Sequence, residues 1–234
     1  MTRGKPPART GLFGGTFNPI HVAHLRAAED VAEAIGLERV IFVPSATPPH
    51  KKPSPGDGMA PAELRLSWVR LAVAGNPRFE VDDLEVVRGG LSYTVETLRI
   101  YGERLAPELP VFLIGQDALA EFDVWKEPEA LLSLAHFAVM TRPPLPRRCL
   151  AELLPAALAR AFDFDPDGEA ALHKQAGTWL RRIPITPLDV SASDLRARLR
   201  GGHSVRYLIP DGVRESVLES RVYADRPSRR RSAL

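Results

Sequence analysis

Apolar residues follow two rhythms along this chain. Compact runs at residues 39–43, 110–115 and 136–141 are rich in Val, Ile, Leu and Phe, and such runs predict strands buried on both faces. Between them the apolar positions spread out. Leu25, Ala28, Val31, Ala32 and Ile35 recur at helical spacing, with Gly36 as a stop, and Leu64, Trp68, Leu71 and Ala72 mark a second helix ending near Gly75 and Asn76. Residues 11–15 open as a short strand, 79–87 read as another, 95–105 and 130–134 as helices, and 179–185 as a late strand. Leu150, Leu153, Leu154 and Leu158 suggest one helix followed by a loop at 163–168, in a stretch (143–177) where the pattern loosens. Strand, helix and strand in alternation predict a doubly wound parallel α/β sheet with helices on both faces. In such a sheet ligands collect at the carboxyl ends of the strands.

With 234 residues the chain can bury about 70–75% of its unfolded surface, so a single domain is expected over 11–225. Basic segments at 1–10 and 226–234 read as a flexible start and a disordered tail. The net charge is only +2, and several positive charges sit between Arg226 and Arg231, leaving a near-neutral body unsuited to nucleic acid. Cys149 stands alone, which excludes an intrachain disulfide and points to a cytoplasmic protein. No apolar run follows the basic start as in a signal peptide, and none approaches the roughly 18 residues of a membrane span. A homo-oligomer is left open.

The chemistry concentrates at one strand-to-helix turn. Gly14 and Gly15 leave the backbone uncovered, so a ligand can lie against its N–H groups, and the following helix N-terminus favours an anion. His21 and His24, three residues apart at the head of that helix, would point the same way as phosphate donors. A zinc site would need a third ligand, and metalloprotease histidines are spaced four apart around a Glu that is missing here. No protein metal site is therefore expected.

Gly14-Gly15-Thr16-Phe17-Asn18-Pro19-Ile20-His21-x-x-His24 resembles the signature of the nucleotidyltransferase superfamily, which carries His-x-Gly-His on a Rossmann-like fold. In its Gly-Gly-Thr-Phe-Asn-Pro version it is similar to the nicotinate mononucleotide adenylyltransferase family in particular. Ala23 departs from the pattern, standing where the motif has glycine, and its methyl group sets the nucleotide slightly farther from the backbone. The resemblance spans about 11–223 and keeps the order of the motifs.

Other segments gain meaning from that likeness. His50 and Lys51, in a proline-stiffened loop after the second strand, read equally as solvated basic residues or phosphate donors, and Pro-Pro-His-Lys matches the family's loop. Ser92-Tyr93-Thr94 can cap a helix; in relatives the segment lines the nicotinate mononucleotide pocket. Asp117 follows a strand end and also matches, while Trp125 reads as core or, by resemblance, as the ring against the pyridine. Ser191-x-Ser193-x-x-Arg196 places small hydroxyls at a helix start with a cation one turn on, like the family's C-terminal nucleotide motif.

The resemblance thus implies adenylyl transfer from ATP to nicotinate mononucleotide in NAD biosynthesis. His21, His24 and Arg196 would be catalytic, with Gly14, Gly15, Thr16, Phe17, Ser191, Ser193 and Arg196 on ATP. His50, Lys51, Ser92, Tyr93, Thr94, Asp117 and Trp125 would hold the acceptor, and Mg²⁺ would arrive bound mainly through ATP phosphates. The rival readings are another phosphorylated acceptor, such as nicotinamide mononucleotide or phosphopantetheine, and a nucleotide-binding module without turnover.

Overall fold

A computed structural model describes residues 10–49, 58–141 and 149–224. His50 and Lys51 lie outside the described residues. So do the two basic termini, 1–9 and 225–234.

In chain order the elements are β1 (Thr10–Gly15), α1 (Val22–Ile35), β2 (Arg39–Pro44), α2 (Ala62–Val73), β3 (Phe79–Val81), α3 (Leu84–Arg88) and α4 (Thr94–Leu105). Then follow β4 (Val111–Gly115), α5 (Gln116–Ala120), a 3-10 turn (Phe122–Val124), α6 (Pro128–Leu134) and β5 (His136–Thr141). The last part holds α7 (Leu150–Leu153), α8 (Ala156–Ala159), β6 (Phe162–Phe164), β7 (Ala170–His173), β8 (Trp179–Pro184), α9 (Ala192–Arg200) and α10 (Asp211–Ser220).

The strands form one sheet in the order β3-β2-β1-β4-β5-β8-β7-β6. The first six are parallel, and β7 runs antiparallel to both β8 and β6. Strand order reverses between β1 and β4, so the chain leaves these neighbours in opposite directions and opens a crevice at their carboxyl ends. Gly14 and Gly15 sit on one side of it and Gly115 on the other.

Alternate residues of the central strands feed two cores. Phe13, Phe42, Leu113 and Ala138 pack on one face with α1, α2 and α10, while Leu12, Ile41, Phe112 and Phe137 pack on the other with α4, α6 and α7. Burial on both faces explains why these strands read as continuous apolar runs.

Three expectations need correction. The strand expected over 79–87 stops at Val81, because the Asp82 carboxylate accepts the Leu84 N–H at 2.8 Å and turns the chain into α3. The single helix expected through Leu158 is two short ones, since Pro155 has no N–H to continue the first. The loop expected at 163–168 is the turn of a hairpin, and its strands β6 and β7 were too short to show a period.

Asp82 ties β3 to α4, accepting from the Tyr101 hydroxyl and from Arg104, each at 2.6 Å. Burial pushes its pKa up, but the hydrogen bonds from Tyr101, Arg104 and the Leu84 N–H outweigh this and hold it below the ordinary value. The stabilisation is therefore complete above the usual carboxylate range and is lost as pH falls through the lowered folded-state value. Asp82→Asn is expected to lower unfolding free energy by about 1–3 kcal/mol at neutral pH. Urea titrations should show that deficit shrinking as pH falls below the ordinary carboxylate range; a deficit independent of pH would contradict the assignment.

Candidate active site

The turn after β1 is built by packing as much as by backbone exposure. A side chain at Gly15 would meet the Phe17 ring at 2.8 Å, and one at Gly14 would touch Phe112 at 3.4 Å. Phe17 is 3% exposed and adopts a positive φ of 46°. Its ring belongs to the core, so any contact it makes with a nucleotide is through its backbone. Thr16 stays partly accessible.

His21 is the N-cap of α1, in extended conformation, and its ring stacks on that of His24 with centroids 3.7 Å apart. The His24 Nδ1 accepts the His21 N–H at 3.3 Å, which leaves the proton of a neutral His24 ring on Nε2. Phe17 packs edge-on against His24 at 5.2 Å and fixes its plane. The two imidazoles share one spot, as their spacing implied.

The C-terminal motif reaches the same loop. Arg196 donates from Nη1 to the Asn18 carbonyl at 2.9 Å across 178 residues of sequence. Its Nε is buried with no hydrogen-bond partner among the described residues. Ser191 caps α9 by accepting the Asp194 N–H at 3.1 Å and donates to that carboxylate at 2.7 Å, so its hydroxyl serves the helix first. Ser193 is exposed.

Two separate cavities lie here, one against the glycine turn and one against the C-terminal motif, and His21, His24 and Arg196 line neither. One, of about 210 Å³, is lined by Gly14, Gly15, Thr16, Ser45, Tyr93, Thr94 and Trp125, together with Lys126. Trp125 is held edge-on by Phe112 and tilted on Phe122, while Lys126 lies 4.3 Å over the Tyr93 ring and bonds Glu96 at 2.8 Å. The Trp125 backbone N–H is already given to the Phe122 carbonyl at 3.2 Å, which leaves α4's N-terminus at Thr94 and Lys126 as donors for a carboxylate on this wall. The other cavity, of about 730 Å³, is lined by Ser191, Asp194, His203 and Leu208, and the Leu208 carbonyl accepts the Val22 N–H at 3.1 Å.

Asp117 is exposed at the start of α5, its carboxylate folded over Gly115. It does not line either cavity. Ser92 also lines the smaller cavity; it is 7% exposed, and its hydroxyl is engaged in accepting the Ala46 N–H at 2.9 Å and in bonding Glu85. Glu85, buried behind it, has its pKa raised by desolvation, against hydrogen bonds from Thr97 and Ser92.

The profile of the cytidylyltransferase-like family matches residues 12–198. A probable nicotinate-nucleotide adenylyltransferase of Citrifermentans bemidjiense is 43% identical over 217 residues, covering 93% of this chain and 99% of that protein. The chain belongs to the nicotinate-nucleotide adenylyltransferase family. A second member, from Rubrobacter xylanophilus, is 40% identical over 228 residues, with 97% of both chains covered. The fold is also that of the Plasmodium falciparum nicotinic acid mononucleotide adenylyltransferase complexed with NaAD, at a TM-score of 0.67 and 15% identity, over 92% of this chain and 97% of that one.

Within this family member the motif reading missed two residues that shape the cleft. Arg65, on α2, is 1% exposed and donates to three backbone carbonyls: Ala60 at 3.0 Å, Thr16 at 2.6 Å and Ala46 at 2.8 Å. A helical arginine usually reads as solvent-facing, yet Arg65, Trp68, Val69 and Ala72 share one helical stripe, and a cation in an apolar stripe was the available signal. In the sequence Asn18 stands only as a position of the motif. Its Oδ1 accepts the Ala60 N–H at 3.0 Å and the Tyr223 hydroxyl, tying the turn to the start of α2 and to the chain's end.

Asn18→Ala leaves the buried Ala60 N–H and the Tyr223 hydroxyl without their acceptor. The expected loss is about 2–4 kcal/mol of unfolding free energy, the sum of two such groups. Urea denaturation measures it directly, and an unchanged midpoint would show that these groups find other partners.

Proposed function

We propose that this chain transfers the adenylyl group of ATP to nicotinate mononucleotide, forming nicotinate adenine dinucleotide and pyrophosphate. Family membership supports the reaction. The observation that carries the site is the Arg196–Asn18 hydrogen bond, which joins the C-terminal cation to the glycine turn beside the stacked histidines. The adjoining cavity with Trp125 on its wall suits a flat pyridine ring.

The reaction asks little of proton transfer. The 5′-phosphate of the acceptor has a second pKa near 6, so it is mostly dianionic at neutral pH and attacks the α-phosphorus without a general base. Pyrophosphate leaves as the new phosphoric anhydride bond forms. What the protein must supply is alignment of two anions that repel, with donors for the accumulating charge. In this reading the N–H groups around Gly15 to Phe17, the His24 Nε2–H and the Arg196 guanidinium take the triphosphate, with Ser191 and Ser193 beside it.

Mg²⁺ enters with ATP as part of the substrate. The donors of the cleft are N–H, imidazole and guanidinium groups, which suit phosphate oxygens, and among the described residues no cluster of three acidic, His or Cys side chains forms an ion cage. No helix of the described residues is long and apolar enough to cross a membrane, and with ATP as donor the reading carries a cytoplasmic location with it.

A carboxylate accepts hydrogen bonds only, and the positive end of α4 with Lys126 offers donors on the pyridine side. The acid is therefore expected to be preferred to the amide. Steady-state kinetics with both mononucleotides tests this, and equal kcat/KM values would refute it. His24→Ala should lower turnover by about 10²–10³, the scale for losing one transition-state donor. A folded variant with near-normal kcat would remove His24 from the chemistry. Pyrophosphate release with ATP, Mg²⁺ and a panel of phosphorylated acceptors tests the function as a whole; release with phosphopantetheine but not with nicotinate mononucleotide would overturn it.

A further inference from the structure

Arg65 is the most buried cation of the described chain, and it makes no salt bridge among the described residues. Desolvation pulls its pKa below the ordinary value, yet a guanidinium remains protonated at any physiological pH. A full positive charge thus sits beneath the glycine turn, solvated by three neutral carbonyls. Burying a charge this way is costly unless something compensates it. Close by, Arg196 holds the Asn18 carbonyl of the same turn, so two guanidinium groups draw the turn's carbonyls to themselves.

The effect on the backbone follows from peptide geometry. A trans peptide directs its C=O and N–H oppositely. With the Thr16 carbonyl drawn to Arg65, the Phe17 N–H points away from the buried cation, and that N–H has no partner among the described residues. The same guanidinium grips the Ala46 carbonyl after β2, and Ser92 takes the Ala46 N–H from the other side. The loops at the ends of β1 and β2 are therefore set relative to each other by one side chain.

We propose that Arg65 is a positioning residue for the phosphate site: it orients the Thr16–Phe17 peptide as a donor and supplies a buried charge that an anion in the cleft compensates. This rests on reading the cleft as a nucleotide site. The residue touches no substrate itself. It acts through the turn and through its field, and the low dielectric around it makes that field reach further than a surface lysine's.

The test uses the full chain carrying Arg65→Lys, which keeps the charge, and Arg65→Gln, which keeps an N–H donor for a carbonyl but loses the charge. MgATP affinity is measured by calorimetry at two salt concentrations, with KM for each substrate alongside. Affinity for MgATP should fall by about tenfold or more in the Gln variant and by clearly less in the Lys variant, with the gap widening at low salt. KM for the acceptor should move less than KM for ATP. A Gln variant within about twofold of the parent, or a Lys variant no better than Gln, would overturn the proposal. Should the Gln variant fail to fold, the parent protein still decides: inorganic tripolyphosphate alone should raise its melting temperature, the rise should be smaller in the Lys variant, and an equal rise in both would overturn the assignment. Failure of the parent to bind MgATP would instead sink the nucleotide reading.

Discussion

Where parallel strands end, their last carbonyls and N–H groups lose their sheet partners but remain too buried for water. Satisfying them is the constraint on which this site depends. Here side chains from distant parts of the chain do it. Arg65 takes the carbonyls of Thr16, Ala46 and Ala60, Asn18 takes the Ala60 N–H, Ser92 the Ala46 N–H, and Arg196 the Asn18 carbonyl. Thr16, Asn18 and Ala46, just past the ends of β1 and β2, are thereby tied down without being part of the sheet. A cleft whose shape is fixed before a ligand arrives loses little on binding it, and for a reaction between two phosphates that alignment is most of the catalysis.

Electrostatics and packing act together in this arrangement. The stacked histidines are seated by the aromatic rings of Phe13 and Phe17, and Phe17 in turn leaves room for nothing larger than glycine at position 15. The glycine therefore has two causes, exposure of the backbone and the ring beside it. At the cavity with Trp125 on its wall, Glu85 is hydrogen-bonded to both Ser92 and Thr97, so Ser92 and Glu85 line the space with their polar groups already engaged, beside Tyr93, Thr94, Trp125 and Lys126.

Much of this was legible in the residues. The parallel strands announced themselves because burial on both faces demands unbroken apolar runs, and α1 because its buried stripe recurs at the helical period. The stacking of His21 on His24 follows from their spacing at the head of α1. What escaped was local or tertiary. Asp82 diverts the chain after three residues of β3, and Pro155 divides α7 from α8. The β6–β7 hairpin is too short for a period to register. For Arg65 the apolar stripe it shares signals burial, but not its role, because its three partners are backbone carbonyls brought near it only by the fold.

The central claim is that the imidazole pair and Arg196 converge on one triphosphate. A crystal structure with a non-hydrolysable ATP analogue and nicotinate mononucleotide tests it most directly. The account predicts phosphate oxygens within hydrogen-bond reach of both His24 Nε2 and the Arg196 guanidinium, with the pyridine ring against Trp125. An analogue seated with its triphosphate away from the glycine turn, touching neither group, would contradict it.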